Sequence, residues 1–385
     1  MSIKVLHVNR NYIFNRLHQL LIEHLDKTEE ITNKVFVPTS FEQEVQFRAS
    51  ENVIVSKCFK VKDRYFYFSK QRKMLKALHK NYNVHDFDII HAYTLFTDGG
   101  CAYNLHRKSG KPYVVAIRNT DINDFLKKIP LSYLYGKRIM ESAEAVFFLS
   151  ESYKQFVESE FLSEADRNHL NYKMVVIPNG LDPFWLENRF KCEKIKTPKE
   201  DSIRLIYAGR IDDNKNIEAT AKAAEILIKD GYSVRFTIIG KVESQDVYRR
   251  LLNNYSFVVL KAEMPKEQLI YEYRNNDVFV MPSFTETFGI SYVEAMSQGL
   301  PVIYTAGQGF DNQFDEGTVG YHVDPNNFCD IAGKVQLIMN DYNRLSERCI
   351  KESAKYDWSI IANQYVEMYK RIKRKYKNET TSEGL

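Results

Sequence analysis

Residues 203–240 read IRLIYAGRIDDNKNIEATAKAAEILIKDGYSVRFTIIG, and the succession of periods within them decides the fold. The apolar run at 203–207 has the length of a buried strand and is too short for a helix. Over 217–229 the spacing changes: Ile217, Ala221, Ala224 and Ile228 recur on one helical face, and Gly231 follows where a helix end favours glycine. A second apolar strand is expected at 234–239. Strand, helix and strand in one short unit predict a parallel pair joined by a crossover helix. Ligands in such sheets meet the loops that leave the carboxyl ends of the strands, so residues 208–216 are the first place to look for chemistry.

The same alternation continues in both directions. Strands are expected at 3–8, 34–37, 89–91, 113–117, 145–149 and 175–177, and again at 257–260, 278–281, 301–304 and 320–323, with helices between them. The chain has 385 residues, and single cores tend to divide beyond about 250–300 residues. The prediction is an α/β protein of two doubly wound domains facing a cleft. The first domain is placed at 1–185 and a polar, lysine-rich linker containing Pro198 at 186–202. The second domain follows at 203–358. A helix at 359–377 with a basic end is expected to cross back to the first domain, leaving 376–385 frayed.

Composition narrows the function classes. Hydrophobic residues make up 44% of the chain, with 24 Phe and 25 Tyr, enough for two large cores and little disorder. A net charge of +4 is too small to point to nucleic acid. The five cysteines (Cys58, Cys101, Cys192, Cys329 and Cys349) are scattered and form no CxxC pair, which sets aside a disulfide framework and a zinc site. Residues 1–9 turn polar too early for a signal peptide, and no run approaches the ~18 apolar residues of a membrane span. A cytoplasmic protein is expected.

Two strand-to-helix loops in the second half carry unusual residues. In 208–216, Gly209 permits a close turn while Arg210 and Lys215 supply a guanidinium fork and a point charge, a pair suited to a diphosphate. The plainer reading of that loop is two solvated cations in an exposed turn. In 282–296, Glu286 lies in the loop, the amides around Phe288, Gly289 and Ile290 would point at an anion, and Glu294 sits about one turn into the helix, where its carboxylate would meet sugar hydroxyls.

Gly-Arg-x4-Lys at 209–215 paired with Glu-x7-Glu at 286–294, ahead of Gly-Leu-Pro-Val at 299–302, resembles the GT-B glycosyltransferases of family 4. The turn Ile177-Pro178-Asn179-Gly180-Leu181-Asp182 is similar to the one that closes the first domain in that family. The resemblance implies two Rossmann-like domains and retaining transfer of a hexose-type sugar from a nucleotide diphosphate sugar. UDP is the commonest nucleotide in the family. The implied acceptor is a saccharide or lipid-linked saccharide, in the synthesis of bacterial surface polymers or exopolysaccharide. It also implies that Arg210 and Lys215 grip the diphosphate, that Glu294 takes the ribose hydroxyls, and that Glu286 meets the transferred sugar near its reacting carbon. Glu286 would bind and stabilise charge rather than attack. The scheme calls for no metal and no cofactor, since charge on the leaving group is met by cations and amides.

The first domain departs from the family pattern. Relatives often carry a Gly-Gly turn after the first strand; here it is Asn9-Arg10-Asn11-Tyr12, so Asn11 is placed on the acceptor side of an altered pocket. Arg118-Asn119-Thr120-Asp121 stands where relatives often have a histidine that contacts the donor sugar, and Arg118 or Asp121 is expected to face the cleft. His91, at a strand end, is assigned a structural or acceptor-lining role, and Asn179 joins the sugar side through its turn. Asp86-Phe87-Asp88 matches a metal-binding Asp-x-Asp pattern, but it precedes its strand, the wrong end for ligand chemistry.

Residues 57–80 hold nine Lys or Arg against the single acid Asp63, interleaved with aromatics. Such a stretch suits peripheral contact with an anionic membrane at the inner face of the plasma membrane; the competing reading is a solvated helix whose aromatics pack inward. Rival functions are a GT-B sugar-nucleotide epimerase, a phosphorylase-like enzyme with pyridoxal phosphate, and an inactive glycosyltransferase-like binding subunit.

Overall fold

The structure, a computed structural model, describes residues 2–44, 51–191 and 201–382. The chain divides into two compact units: Met1–Leu149 with Lys154–Gly180 and Trp358–Leu385, and Ser150–Tyr153 with Leu181–Asp357. Each is built on one parallel sheet. Among the described cysteines, Cys58, Cys101, Cys329 and Cys349 are free thiols, and Cys192 lies outside the described residues.

The strands of the first unit are β1 (Ile3–Val8), β2 (Ile31–Ser40), β3 (Val53–Phe59), β4 (Ile89–Ala92), β5 (Tyr113–Ala116), β6 (Ala145–Phe148) and β7 (Met174–Val176). They lie in the order β3-β2-β1-β4-β5-β6-β7. Every residue of β4, β5 and β6 is buried, as in parallel sheets covered on both faces. All six expected strands are present. The additional one, β3, is an edge strand with only Val53 and Phe59 buried, and its Ser56-Lys57 interrupts the apolar run that would have announced it.

The helix Trp358–Ser382 completes this unit. Its Trp358, Ile361, Tyr365, Tyr369 and Ile372 are buried in one core with residues of β1 and β4. It runs past the expected end at 377, so the backbone of 376–382 is helical rather than frayed; the Tyr376 hydroxyl donates to Glu144 at 3.0 Å. Gly180 lies against this helix, where a Cβ would come within 2.3 Å of the Trp358 indole. The glycine of the 177–182 turn is therefore a packing requirement.

The second unit contains β8 (Ser202–Ala208), β9 (Ser233–Ile239), β10 (Val258–Lys261), β11 (Val278–Val280), β12 (Val302–Thr305) and β13 (Gly320–Val323), ordered β10-β9-β8-β11-β12-β13. The expected strands are all there. The expected boundary at 185 moves to Gly180/Leu181, because the helix Pro183–Glu187 buries Trp185 beside Tyr273, ring centroids 5.5 Å apart. Of the expected linker, residues 192–200 lie outside the described residues and Ser202 belongs to β8. Helix Ile217–Lys229 forms as expected, but Leu227 rather than Ile228 completes its buried stripe; both fit the period, and Ile228 is exposed.

In each sheet the strand order reverses once, between β1 and β4 and between β8 and β11. Adjacent loops run off in opposite directions at such a point and open a crevice beyond the carboxyl ends of the strands.

Candidate active site

The loops that flank the β8/β11 reversal are bonded to each other. After β8, Asp212 caps a short turn, its Oδ1 accepting the Lys215 amide at 3.1 Å. Asn214 Oδ1 accepts the Thr285 amide at 3.1 Å, and Asn214 Nδ2 donates to the Thr285 carbonyl at 3.0 Å. The Phe284 amide donates to the Asn214 carbonyl at 2.9 Å, and Asn216 Nδ2 donates to the carbonyls of Pro282 and Pro325. These bonds fix Lys215 over the second loop, where Nζ stands 2.8 Å from Glu286 Oε2.

Glu286 is held from every side. Its Oε1 accepts the amides of Thr287 at 3.0 Å and Phe288 at 3.4 Å. Its own amide donates to Gln308 Oε1 at 2.9 Å, and its carbonyl accepts the Gly309 amide at 2.8 Å. Gly289 then turns the chain into the helix Ile290–Ser297 with φ +79°, and a Cβ there would meet the Tyr292 ring at 2.3 Å. The Tyr292 amide donates to the Gly289 carbonyl at 3.0 Å, and the first amides of a helix, here those about Ile290 and Ser291, lack an acceptor one turn back, the arrangement that suits an anion.

Beside this helix start lies a recess of about 250 Å³, lined by Gly209, Arg210, Lys241, Met264, Ser291 and Glu294 among others. Gly240 closes it: a Cβ there would fall 1.7 Å from the Gly209 carbonyl oxygen, so the loops after β8 and β9 meet backbone to backbone. The Arg210 carbonyl accepts from the Tyr207 hydroxyl at 2.5 Å, while its side chain is 66% exposed, with Nε 3.8 Å from Asp212 Oδ2.

Glu294 lies deeper. Burial pushes its carboxyl up to about 7, and nearby Asp182 adds to this; hydrogen bonds from Tyr273 and Trp185 and the charge of Lys266 oppose it. The recess thus joins the Glu294 carboxylate, the Arg210 side chain and Ser291 of the helix's first turn, and the loop that carries Glu286, paired with Lys215, leads into the same helix.

Of the residues expected from the first unit, Asp121 is placed differently and His91 takes the structural one of its two expected roles. Asp121 is buried and accepts the amides of Leu95, Phe96 and Arg118 at 2.9, 3.1 and 2.9 Å, so it caps the segment entering helix Thr97–Ser109 and does not face an opening. His91 is likewise a core residue: it stacks on Tyr93 at 4.3 Å, its Nδ1 lies 2.6 Å from the Tyr369 hydroxyl, and burial holds its pKa well below the ordinary value. Arg118 is partly buried, and its Nε and Nη1 have no protein partner. The Asn11 amide donates to Asn9 Oδ1 at 3.2 Å; Asn179 is partly buried at the end of the 154–180 segment. At the amino end of β4, Asp88 accepts the Lys4 amide and pairs with Lys373, both at 2.9 Å, which agrees with a structural reading of 86–88.

Several participants were not singled out beforehand. Asn214 and Gln308 position the two loops, Trp185 and Tyr273 set the environment of Glu294, and Lys241 and Met264 line the recess. Only Gly240, at the end of its strand, carried a readable signal, as a glycine where a strand meets a ligand loop. Among the described residues no group of three or more His, Cys, Asp or Glu side chains is arranged to hold a metal ion.

The family model for glycosyl transferases of group 1 matches residues 188–356, and that for glycosyltransferase family 4 matches residues 20–184. The chain is 30% identical to CapM, a capsular polysaccharide biosynthesis glycosyltransferase of Staphylococcus aureus, over 54% of this chain and 56% of that protein, so the match spans about half of each. In fold it is similar to sucrose-phosphate synthase from Thermosynechococcus elongatus, with TM-score 0.72 and 17% identity over 96% of this chain and 99% of that one. It is also similar to the Anabaena protein HepE, solved in complex with UDP and glucose, with TM-score 0.65 and 16% identity over 96% and 100% of the two chains.

Proposed function

Because the chain belongs to the group 1, family 4 glycosyltransferases of the GT-B fold, we propose that its second unit binds a UDP-sugar and transfers a hexose-type sugar, with retention, to a saccharide or lipid-linked saccharide. The base and ribose occupy the recess, with the Glu294 carboxylate accepting the ribose hydroxyls. The diphosphate lies beside Phe288 along the amides of Gly289 and Ile290, between Arg210 and Lys215, and Glu286 meets the sugar. The CapM relationship supports a role in bacterial surface polysaccharide or exopolysaccharide synthesis, and the HepE complex supports UDP as the nucleotide.

Bond breaking between the sugar's anomeric carbon and the diphosphate oxygen leaves negative charge on that oxygen and positive charge on the sugar. The two cations and the helix amides bind the departing diphosphate more strongly than the intact donor, which lowers the barrier. Glu286, fixed by two amides, faces the positive sugar. The acceptor hydroxyl forms the new bond on the face the diphosphate leaves, and its proton passes to the departing phosphate oxygen. The charge balance is met by protein groups, and the scheme asks for no metal or cofactor. In the first unit, Arg118, Asn11 and Asn179 serve the sugar or acceptor, and the reaction is placed in the cytoplasm at the inner face of the plasma membrane.

The observation that carries this reading is the 2.8 Å Lys215–Glu286 pair astride the reversal of strand order. Calorimetry against UDP-, GDP- and ADP-sugars, followed by NMR of the product formed on lipid-linked sugar acceptors, tests it. Transfer with the donor's anomeric configuration kept supports it; conversion of the donor to its epimer without an acceptor contradicts it.

A further inference from the structure

The basic stretch at 57–80 does not act as one surface. Phe59 is buried under the ammonium of Lys70, 4.8 Å from the ring centroid, and the Tyr67 hydroxyl donates to the Phe96 carbonyl at 2.7 Å, so these aromatics serve the core. Tyr65, Phe66 and Phe68 point the other way and are 61–71% exposed.

A second segment, silent in the sequence, joins them. Ile129, Leu131 and Leu134 are 45–67% exposed, and they lie at the start of helix Ser132–Ser142. Tyr135 of that helix meets both Phe68 and Tyr67 edge-on at 5.6 Å, which brings the two segments side by side. Leu131 holds φ +60°, a left-handed conformation that side-chain-bearing residues rarely adopt, and its side chain gains no burial in return.

Charge decides what such a patch would meet. Lys60, Lys62, Arg64 and Lys127 lie in the same two segments as the apolar side chains; of the acids nearby, Asp63 pairs with Lys73 at 2.6 Å, Asp124 with Lys128 at 2.8 Å, and Glu42 accepts the Val61 amide at 3.1 Å, so the cations remain in excess. Protein interfaces are depleted in lysine, whereas anionic lipid headgroups attract each nearby cation and take aromatic rings at headgroup depth. Among the described residues no helix is long and apolar enough to cross a membrane, so contact at this patch would be peripheral.

We infer that the first unit docks on an anionic bilayer surface through two juxtaposed segments, 60–68 and 127–134, with Phe66 and Leu131 as apolar anchors and the lysines around them as the electrostatic part. The inference deepens the proposed transfer by bringing the enzyme to a lipid-linked acceptor, and it rests on that reading for its purpose alone.

The test is flotation of the full chain with vesicles of phosphatidylcholine, with and without phosphatidylglycerol. Comparison proteins are Tyr65→Ser/Phe66→Ser, Ile129→Ser/Leu131→Ser and Lys60→Gln/Lys62→Gln. Wild type is expected to float with the anionic vesicles only. Each double variant should lower the bound fraction about tenfold, with unchanged thermal unfolding and unchanged UDP affinity by calorimetry. Equal flotation on neutral vesicles, no flotation of wild type, or wild-type behaviour of Ile129→Ser/Leu131→Ser would overturn it. So would a dimer in light scattering that the aromatic variant dissociates, which would give the patch to a second copy. Loss of UDP binding in wild type would count against the donor site and leave the docking result standing.

Discussion

Lys215 and Glu286 are 71 residues apart in sequence, yet Nζ and Oε2 are 2.8 Å apart with side chains only 12% and 15% exposed. An ion pair this enclosed is unlike the solvated pairs of a protein surface, because removing Lys215 leaves the Glu286 carboxylate enclosed with only the Thr287 and Phe288 amides to offset its charge. It also orients the ammonium before any substrate arrives. A diphosphate entering beside the Gly289 and Ile290 amides would meet a lysine already in place.

Glu286→Gln should therefore separate binding from chemistry. The amide keeps a hydrogen-bonding oxygen near the Thr287 and Phe288 amides but removes the charge opposite the reacting sugar. Turnover is expected to fall about 100-fold or more while UDP affinity changes little. Steady-state kinetics and calorimetry on one preparation check this, and near-normal turnover would remove Glu286 from the site.

Arg210 presents the opposite case, an exposed side chain the fold does not need. Arg210→Ala should leave the thermal midpoint in place and lower kcat/KM about 100-fold. Arg210→Lys should recover only part of the loss, since a point charge cannot make the two parallel bonds of a guanidinium. Full recovery by lysine would mean that charge alone matters there.

Glu294 links stability to pH. Its folded-state carboxyl titrates near 7 against an ordinary 4.5, so the folded state holds the proton more tightly than the unfolded chain. The resulting stability is complete below about pH 4.5 and is lost as pH rises through about 7, a loss of up to about 3 kcal/mol. Glu294→Gln should flatten this decline and be the more stable protein at alkaline pH, while binding nucleotide more weakly. In wild type, UDP affinity should rise between about pH 6 and pH 8 as the ribose-binding carboxylate ionises. Chemical denaturation and calorimetry across that range read both effects, and a pH-independent stability difference between the two proteins would contradict the assignment.

Asp121 is expected to behave as a structural residue. Asp121→Asn leaves fewer oxygens for the Leu95, Phe96 and Arg118 amides and should destabilise the first unit by about 1–3 kcal/mol, with UDP affinity unchanged. A large change in donor binding without loss of stability would return it to the site.

What was legible in the sequence follows from periodicity and spacing. Buried parallel strands such as β4 and β5 are short apolar runs and announce themselves, whereas β3 at a sheet edge carries Lys57 on its open side and does not. Arg210, Lys215, Glu286 and Glu294 stood out because charged residues beside glycines at strand ends are chemically unusual. Asp121 misled because local sequence cannot tell a buried hydrogen-bonded group from an exposed one, and for the same reason the sequence leaves His91 between a structural and an acceptor-lining role. The partners that settle both cases, Tyr369 and the amides of Leu95 and Phe96, are distant in the chain. The Ile129–Leu134 side of the exposed patch was invisible for a related reason: KKIPLSYLY looks like any helix entry until Tyr135 is seen against Phe68.

The account depends on Lys215, Arg210 and the helix amides holding one diphosphate, and calorimetry of UDP against uridine measures that most directly. Wild type should bind UDP more tightly than uridine by about 100-fold or more, and Arg210→Ala/Lys215→Ala should reduce UDP to nearly the affinity of uridine. Equal affinity of wild type for the two ligands, or a double variant that still prefers UDP by the full margin, would contradict it.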